Sequence, residues 1–252
     1  RLQLVLTFED DNTEQKDLFY FVCGDVILDN EYYFINNKLW YKANEEYISR
    51  LTYEIDNIRF IAPDILQLNE WDDAQHTGPN GEFRYNQSHS LHVCLDHKTV
   101  KIDGENGRIE FCDLLKENNG SVHLIHVKKD CGAALRALFA QGFVSSELYA
   151  EDKQFQTKVH GADLKQEAPA LTDDHKRTLA NLNGRHINQF EIVYAIYDNT
   201  GSHRVPQNPR TTSDWLNGTL TTFAKVDLVN RVSSMRAKGY HVALTRIKPY
   251  PI

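Results

Sequence analysis

No apolar run in this chain approaches the roughly 20 residues that span a bilayer, and no basic segment followed by an apolar core stands at its start. A transmembrane helix and a secretory leader are therefore not expected, and the reading is of a cytoplasmic protein without membrane contact. Cysteine is sparse and scattered: the four, Cys23, Cys94, Cys112 and Cys131, include no C-x-x-C pair. They read as reduced thiols rather than as a disulfide frame or a zinc knot. Neither G-x-x-x-x-G-K-[ST] nor G-x-G-x-x-G occurs, which leaves nucleotide hydrolysis and dinucleotide binding without a motif. Basic charge is also in deficit, with 28 Lys and Arg against 35 Asp and Glu and a net charge of −7. That balance opposes non-specific binding of nucleic acid by phosphate neutralisation, but not a positive field focused in one groove. A single methionine, Met235, and a start at Arg1 suggest a piece of a longer protein.

What is present is ordinary globular composition: 252 residues, 41% apolar and 25% charged, enough for one large domain or two small ones. Residues 1–70 read as an N-terminal β-meander plus a helix, and residues 71–252 as an α/β core. Leu2–Leu6 reads as a strand, followed by a polar, acidic stretch to Asp17. Leu18–Val22, Val26–Leu28, Tyr32–Ile35 and Leu39–Lys42 follow as short antiparallel strands with a turn at Asn36-Asn37. From the N-cap Asn44, the spacing of Tyr47, Ile48, Leu51 and Ile55 predicts a helix to about Asn57. After a loop over residues 72–81 come a short helix near Glu82–Asn86 and strands at Leu91–Leu95 and Thr99–Ile102. Ala133–Gln141 reads as a helix closed by Gly142, with a second helix from Ser145 and a third over Thr172–Asn183. The strand Phe190–Tyr197, the helix Phe223–Lys238 and the strand Tyr240–Ile247 complete an α+β sandwich with a mixed central sheet and flanking helices.

The most informative stretch runs from Arg108 to Lys129. Two strand-like runs, Arg108–Leu115 and Ser121–Lys129, flank Glu117-Asn118-Asn119-Gly120, and Asn-Gly between such runs is a hairpin signal. The two-residue period puts Val122, Leu124, His126 and Lys128 on one face and Ile125 and Val127 on the other. An Asp on the first strand and a His-x-Lys on the second thus end an otherwise apolar face, which is costly unless the groups are solvated or functional.

The order Glu82, Asp113, His126-x-Lys128 and Gln141 resembles the PD-(D/E)XK nuclease superfamily over roughly residues 80–145. The strings IEFCDLL (109–115), HLIHVKK (123–129), LRALFAQGFVSSELY (135–149) and GEFRYN (81–86) further resemble an uncharacterised, sporadically distributed bacterial family associated with restriction and defence loci. YYFINNKLWYKA (32–43) and the stretch over 221–247 extend that likeness to most of the chain. The resemblance implies a restriction-endonuclease-like core and a metal-dependent phosphodiesterase acting on nucleic acid, DNA foremost, with homodimers as cutters of both strands. It further implies Mg²⁺ or Mn²⁺ held by Asp113, Glu82 and the carbonyl of Val127, with Lys128 and Gln141 acting on the attacking water or the phosphate. His126 departs from the pattern, standing where the superfamily carries an acid. An imidazole is a poorer Mg²⁺ ligand than a carboxylate and would favour Mn²⁺, or it would serve as a general base near neutral pH.

Each residue also has a structural reading: Asp113 as a solvated turn cap, Lys128 and Lys129 as a charged strand exit, Glu82 as a loop acid, Gln141 as an exposed helix residue and His126 as a half-buried strand histidine. The competing function is a catalytically degenerate module that keeps the fold and binds nucleic acid or a partner protein. A zinc cluster of His92, Cys94, Cys112, His126 and Cys131 lacks ligand spacing. A nucleophilic Cys112 or Cys131 lacks a local motif, and nearby acids would raise the thiol pKa. Tyr32, Tyr33, Trp40, Tyr41 and Trp71 could stack bases, although packing in a meander core is the commoner role.

Overall fold

The structure, a computed structural model, describes residues 3–7, 13–17, 24–29, 31–36, 38–101, 107–129, 133–166, 169–197, 215–216, 220 and 222–250. Near the N-terminus β1 (Gln3–Thr7) pairs antiparallel with β2 (Thr13–Asp17), so the polar stretch before Asp17 contains a strand. The strand expected over Leu18–Val22 lies outside the described residues. β3 (Gly24–Leu28), β4 (Glu31–Asn36) and β5 (Leu39–Ala43) form a separate antiparallel meander. Trp40 and Leu39 are more than half exposed on it, and Tyr41 and Tyr32 are exposed as well, so a core role does not account for these side chains.

The helix α1 (Glu45–Asp56) begins where the sequence places it: the Asn44 side chain accepts the N–H of Tyr47 at 2.7 Å, satisfying one of the unpaired donors of the first turn. There follow β6 (Arg59–Phe60), α2 (Pro63–Leu66), α3 (Gly81–Gln87), β7 (Val93–Cys94), β8 (Lys98–Lys101) and β9 (Arg108–Glu110). Next are β10 (Leu114–Asn118), β11 (Ser121–Lys129), α4 (Ala133–Glu151), α5 (Lys153–His160), β12 (Lys165–Gln166) and α6 (Asp173–Ala180). β13 (Phe190–Tyr197), α7 (Thr222–Ala237) and β14 (His241–Ile247) complete the order.

The central sheet is six-stranded and mixed, in the order β6-β14-β13-β11-β10-β7. β11, β13, β14 and β6 run parallel, and β10 and β7 are antiparallel additions at one edge. This is an α+β architecture with helices against a mixed sheet. Residues 59–61 tie the N-terminal part to it, since Arg59 and Phe60 pair with β14 and the Ile61 N–H donates to the Leu244 carbonyl. The period of two sorts the side chains as the hairpin pattern requires. Val122, Leu124, Ile192, Tyr194, Ile196, Val242 and Leu244 join the core beneath α4 and α7. Ile125, Val127, Val193, Ala195 and Ala243 face the opposite core of Leu66, Trp71 and Tyr85. Both faces are covered, which is why these strands read as continuous apolar runs.

Two expectations are corrected. The run Arg108–Leu115 is not one strand: β9 pairs with β8 in a three-stranded sheet with β12, and the chain crosses to the central sheet through Phe111–Asp113 before β10 begins. The hairpin itself is β10–β11, closed by Asn119 and Gly120, both at positive φ, the geometry of a two-residue primed turn. Gly142 does not end a helix, and no second helix starts at Ser145; α4 runs unbroken through both. The glycine is there for proximity. A Cβ at position 142 would sit 2.7 Å from Cε1 and 2.8 Å from the hydroxyl of Tyr194, whose O–H donates to the Phe139 carbonyl in the preceding turn of α4. Helix propensity favours alanine here, but backbone contact with a buried Tyr forbids it. Gly142→Ala should therefore destabilise the protein by about 1–3 kcal/mol through overpacking, read as a lower urea midpoint; an unchanged or higher midpoint would contradict this packing.

Candidate functional site

At the C-terminal end of β11 the crossing from β9 to β10, the loop after β7, α3 and α4 enclose a cavity of about 210 Å³. Its walls include Glu82 and Asn86 from α3, Asp96 and His97, Glu110 and Asp113, Val127 and Lys128, and Gln141. Asp113 is fastened most tightly. Its backbone N–H donates to the Ile125 carbonyl at 3.0 Å, its carbonyl accepts the N–H groups of Leu95 and Asp96 at 2.8 and 3.1 Å, and its carboxylate accepts the Val127 N–H at 2.6 Å.

Around this anchor three carboxylates converge. One oxygen from each of Asp96, Glu110 and Asp113 lies within 4.8 Å of the other two, the only such grouping of potential metal ligands among the described residues. All three pKa values are raised, burial first among the causes. Burial followed by the charges of Glu110 and Asp96 pushes Asp113 well up; burial also raises Asp96; burial and then the Asp96 charge lift Glu110 to about 7. The orienting contacts come from amides: Gln141 Nε2 donates to Glu110 at 2.8 Å, Asn86 Nδ2 donates to Asp96 at 2.7 Å, and the His97 backbone N–H donates to Glu110. Asn86 is 1% exposed, and its amide oxygen has no hydrogen-bond partner although its amide nitrogen already serves Asp96. The three carboxylates, with the amide oxygen of Asn86 nearby, are groups that could hold a hard divalent cation. With no sulfur or imidazole among them, these groups suit Mg²⁺, Mn²⁺ or Ca²⁺ rather than zinc.

The residues singled out in the sequence are thus partly brought together. Asp113, Val127, Lys128, Gln141 and Glu82 all line the cavity. Glu82, expected as a metal ligand, is engaged elsewhere: its carboxylate accepts Lys128 Nζ and the Lys129 N–H, each at 2.9 Å, and stands outside the three-carboxylate group. It positions the lysine. His126 is not among the cavity walls. It points into the core beneath α4, with its ring 6.1 Å from that of Tyr194, and neither ring nitrogen has a partner. Burial lowers its pKa to about 3, which makes the ring a weak base, and it stands apart from the cavity that the other candidates line.

Asp96 and Glu110 escaped the sequence reading for a geometric reason. In a continuous strand, residues 110 and 113 would face opposite ways; only the break at residues 111–113 turns both carboxylates into one cavity. The one available signal was the unusual density of acids, Asp96, Glu110 and Asp113, around segments otherwise rich in apolar residues. The described cysteines are no more reactive for their setting: burial raises Cys94 to about 11 and raises Cys112 well above its ordinary value. Cys131 and Cys23 lie outside the described residues.

Two expectations follow from this geometry. Because folding raises the pKa of Glu110 from 4.5 to about 7, the folded chain holds the extra proton between those values, and the contribution of Glu110 to metal-free stability should fall as pH rises through that window. The buried His89, His92 and His126, whose pKa values burial lowers, push the other way in every variant. The decline should therefore be read by thermal melting as the difference between wild type and Glu110→Gln at the two ends of the window, and Mn²⁺ should restore stability mainly at the upper end. A stability that climbs with pH in the wild type and not in Glu110→Gln would reject the assignment. Separately, His126→Leu replaces an unpaired buried imidazole with an isostere of similar bulk and should leave stability equal or improved; a loss above about 3 kcal/mol in chemical denaturation would show that the ring has a partner.

Neither curated proteins nor solved structures yield a match to this chain. A family model does, over residues 1–248, which is nearly its full length. The chain belongs to the family of unknown function DUF6119.

Proposed function

We propose that the cavity is the centre of a metal-dependent phosphodiesterase acting on nucleic acid, DNA foremost, with a PD-(D/E)XK-like core and a place in bacterial restriction or defence. The observation that carries this reading is the meeting of Asp96, Glu110 and Asp113 with Lys128 in one cavity at the end of a central strand. The arrangement of elements supports it: a helix bearing Glu82, then β7, β10 and β11 as antiparallel neighbours in the central sheet, with β8 and β9 inserted between β7 and β10, then α4 and, after further short elements, the parallel strand β13.

Asp96, Glu110 and Asp113 would hold Mg²⁺ or Mn²⁺, with the Asn86 amide oxygen as a further ligand and the Val127 carbonyl as the one the resemblance offers. A cation there supplies charge neutralisation at the phosphate and acidifies a water. Lys128 donates to a non-bridging phosphate oxygen as negative charge grows, its ammonium held in place by Glu82. Gln141 fixes the rotamer of Glu110, and Asn86 that of Asp96, so that both carboxylates are pre-oriented. His126 has no part in the chemistry.

Supercoiled plasmid incubated with the protein and Mg²⁺ or Mn²⁺ should be nicked. Asp113→Asn and Lys128→Ala should each lose about a hundredfold or more in rate, with His126→Leu retaining activity. Equal nicking by wild type and the Asp113 and Lys128 variants would remove the reading. DNA held but left intact by metal-loaded wild type would favour the degenerate binding module.

A further inference from the structure

The loop joining β7 to β8 holds an aromatic ring where the backbone resists one. His97 has φ +60°, in the left-handed region that a side chain with a Cβ occupies only when its surroundings enforce it. Two contacts enforce it here. Glu110 accepts the His97 backbone N–H, and the imidazole lies flat on Phe83 of α3, with ring centroids 4.6 Å apart and planes inclined by 15°. Both rings line the cavity of the carboxylates and Lys128. The His97 side chain is 47% exposed, and its Nε2 stands 3.6 Å from Asp96 Oδ1, so the ring forms the rim between solvent and the acidic cluster. Other flat stacks among the described residues are structural: Trp71, 1% exposed, is enclosed by Tyr85 at 4.7 Å and Tyr197 at 4.9 Å. The Phe83–His97 pair instead lines a cavity.

We propose that Phe83 and His97 are a base-stacking platform for the nucleotide next to the scissile phosphate, so that the substrate is a nucleic acid strand that is single or locally unstacked at the cut. The proposal rests on the phosphodiesterase reading and names its substrate class. Within a duplex both faces of a base are already covered; only an unpaired or extruded base offers a free face to a protein ring. Charge agrees: the chain is net −7 and Glu82, Asp96, Glu110 and Asp113 line the cavity, so phosphate neutralisation by the chain's own cations adds little affinity and stacking adds to the grip.

The test uses Mn²⁺-loaded full chain and a short oligonucleotide carrying the fluorescent base 2-aminopurine, presented single-stranded and as a duplex. The single strand should be bound and cut about tenfold better than the duplex, with quenching of the reporter base. Phe83→Leu, and His97→Asn, which tolerates the left-handed turn, should each weaken single-strand binding about tenfold and abolish the quench. Phe83→Trp should retain both. Unaltered circular dichroism and Mn²⁺ binding in Phe83→Leu would show that fold and metal site are intact. A preference for duplex, or affinity and quench unchanged in both variants, would overturn the platform while leaving the phosphodiesterase standing. Wild type that binds Mn²⁺ but neither binds nor cuts either strand form would overturn both.

Discussion

The structure depends on how Asp113 is held. Its main chain joins Ile125 of β11 to Leu95 and Asp96 of the preceding loop, and its carboxylate reaches across to the Val127 N–H. One residue therefore satisfies donors and acceptors on three segments at the point where the chain leaves one sheet and enters another. Such a residue cannot be placed loosely, because each unmade bond would strand a buried backbone group. The accuracy needed for chemistry is supplied by the same bonds that hold the fold.

Electrostatics then works against stability. Three carboxylates share one buried cavity, and the raised pKa values of Asp96, Glu110 and Asp113 record the cost of burial first and, for Glu110 and Asp113, of their neighbours' charge. The amides of Asn86 and Gln141 relieve part of it, lowering Asp96 and Glu110 respectively, and nearby Lys98 lowers both by less. Lys128 is unavailable for that purpose because Glu82 engages it. In the proposed reading, a cation that binds the native state alone would offset such strain. The rim of Phe83 and His97 belongs to the same economy: the left-handed backbone of His97 is tied down by Glu110, a member of the cluster it borders.

The parallel strands explain why the site lies where it does. β11 and β13 are buried on both faces and carry no polar side chain toward the cavity until Lys128, near the carboxyl end of β11. The contact between α4 and Tyr194, made possible by Gly142, draws the helix close enough for Gln141 to meet Glu110. Packing beneath the helix and chemistry beside it are therefore set by neighbouring residues on one turn.

Much was legible without coordinates of any kind. The Asn119-Gly120 turn, the alternation along 121–129, the cap at Asn44 and the continuous apolar run at 190–197 are local signals, and local physics decides them: turn dihedrals, a period of two, an unpaired helix donor. They outline the strands of the sheet and mark Asp113 and Lys128, whereas Glu82 and Gln141 stand out only through the resemblance to the nuclease superfamily. What the sequence could not decide was which acids share a cavity. Asp96 and Glu110 meet Asp113 only because β8 and β9 pair in a different sheet and the chain breaks between residues 110 and 114, a long-range outcome with no short-range signature. His126 shows the converse. Its spacing puts it on the strand face of Lys128, but burial under α4, which no spacing reports, makes this candidate catalytic residue a core side chain. Sequence determined the strands and their faces because those follow from neighbours along the chain; tertiary structure alone decided the site, because a site is made of distances between residues far apart in it.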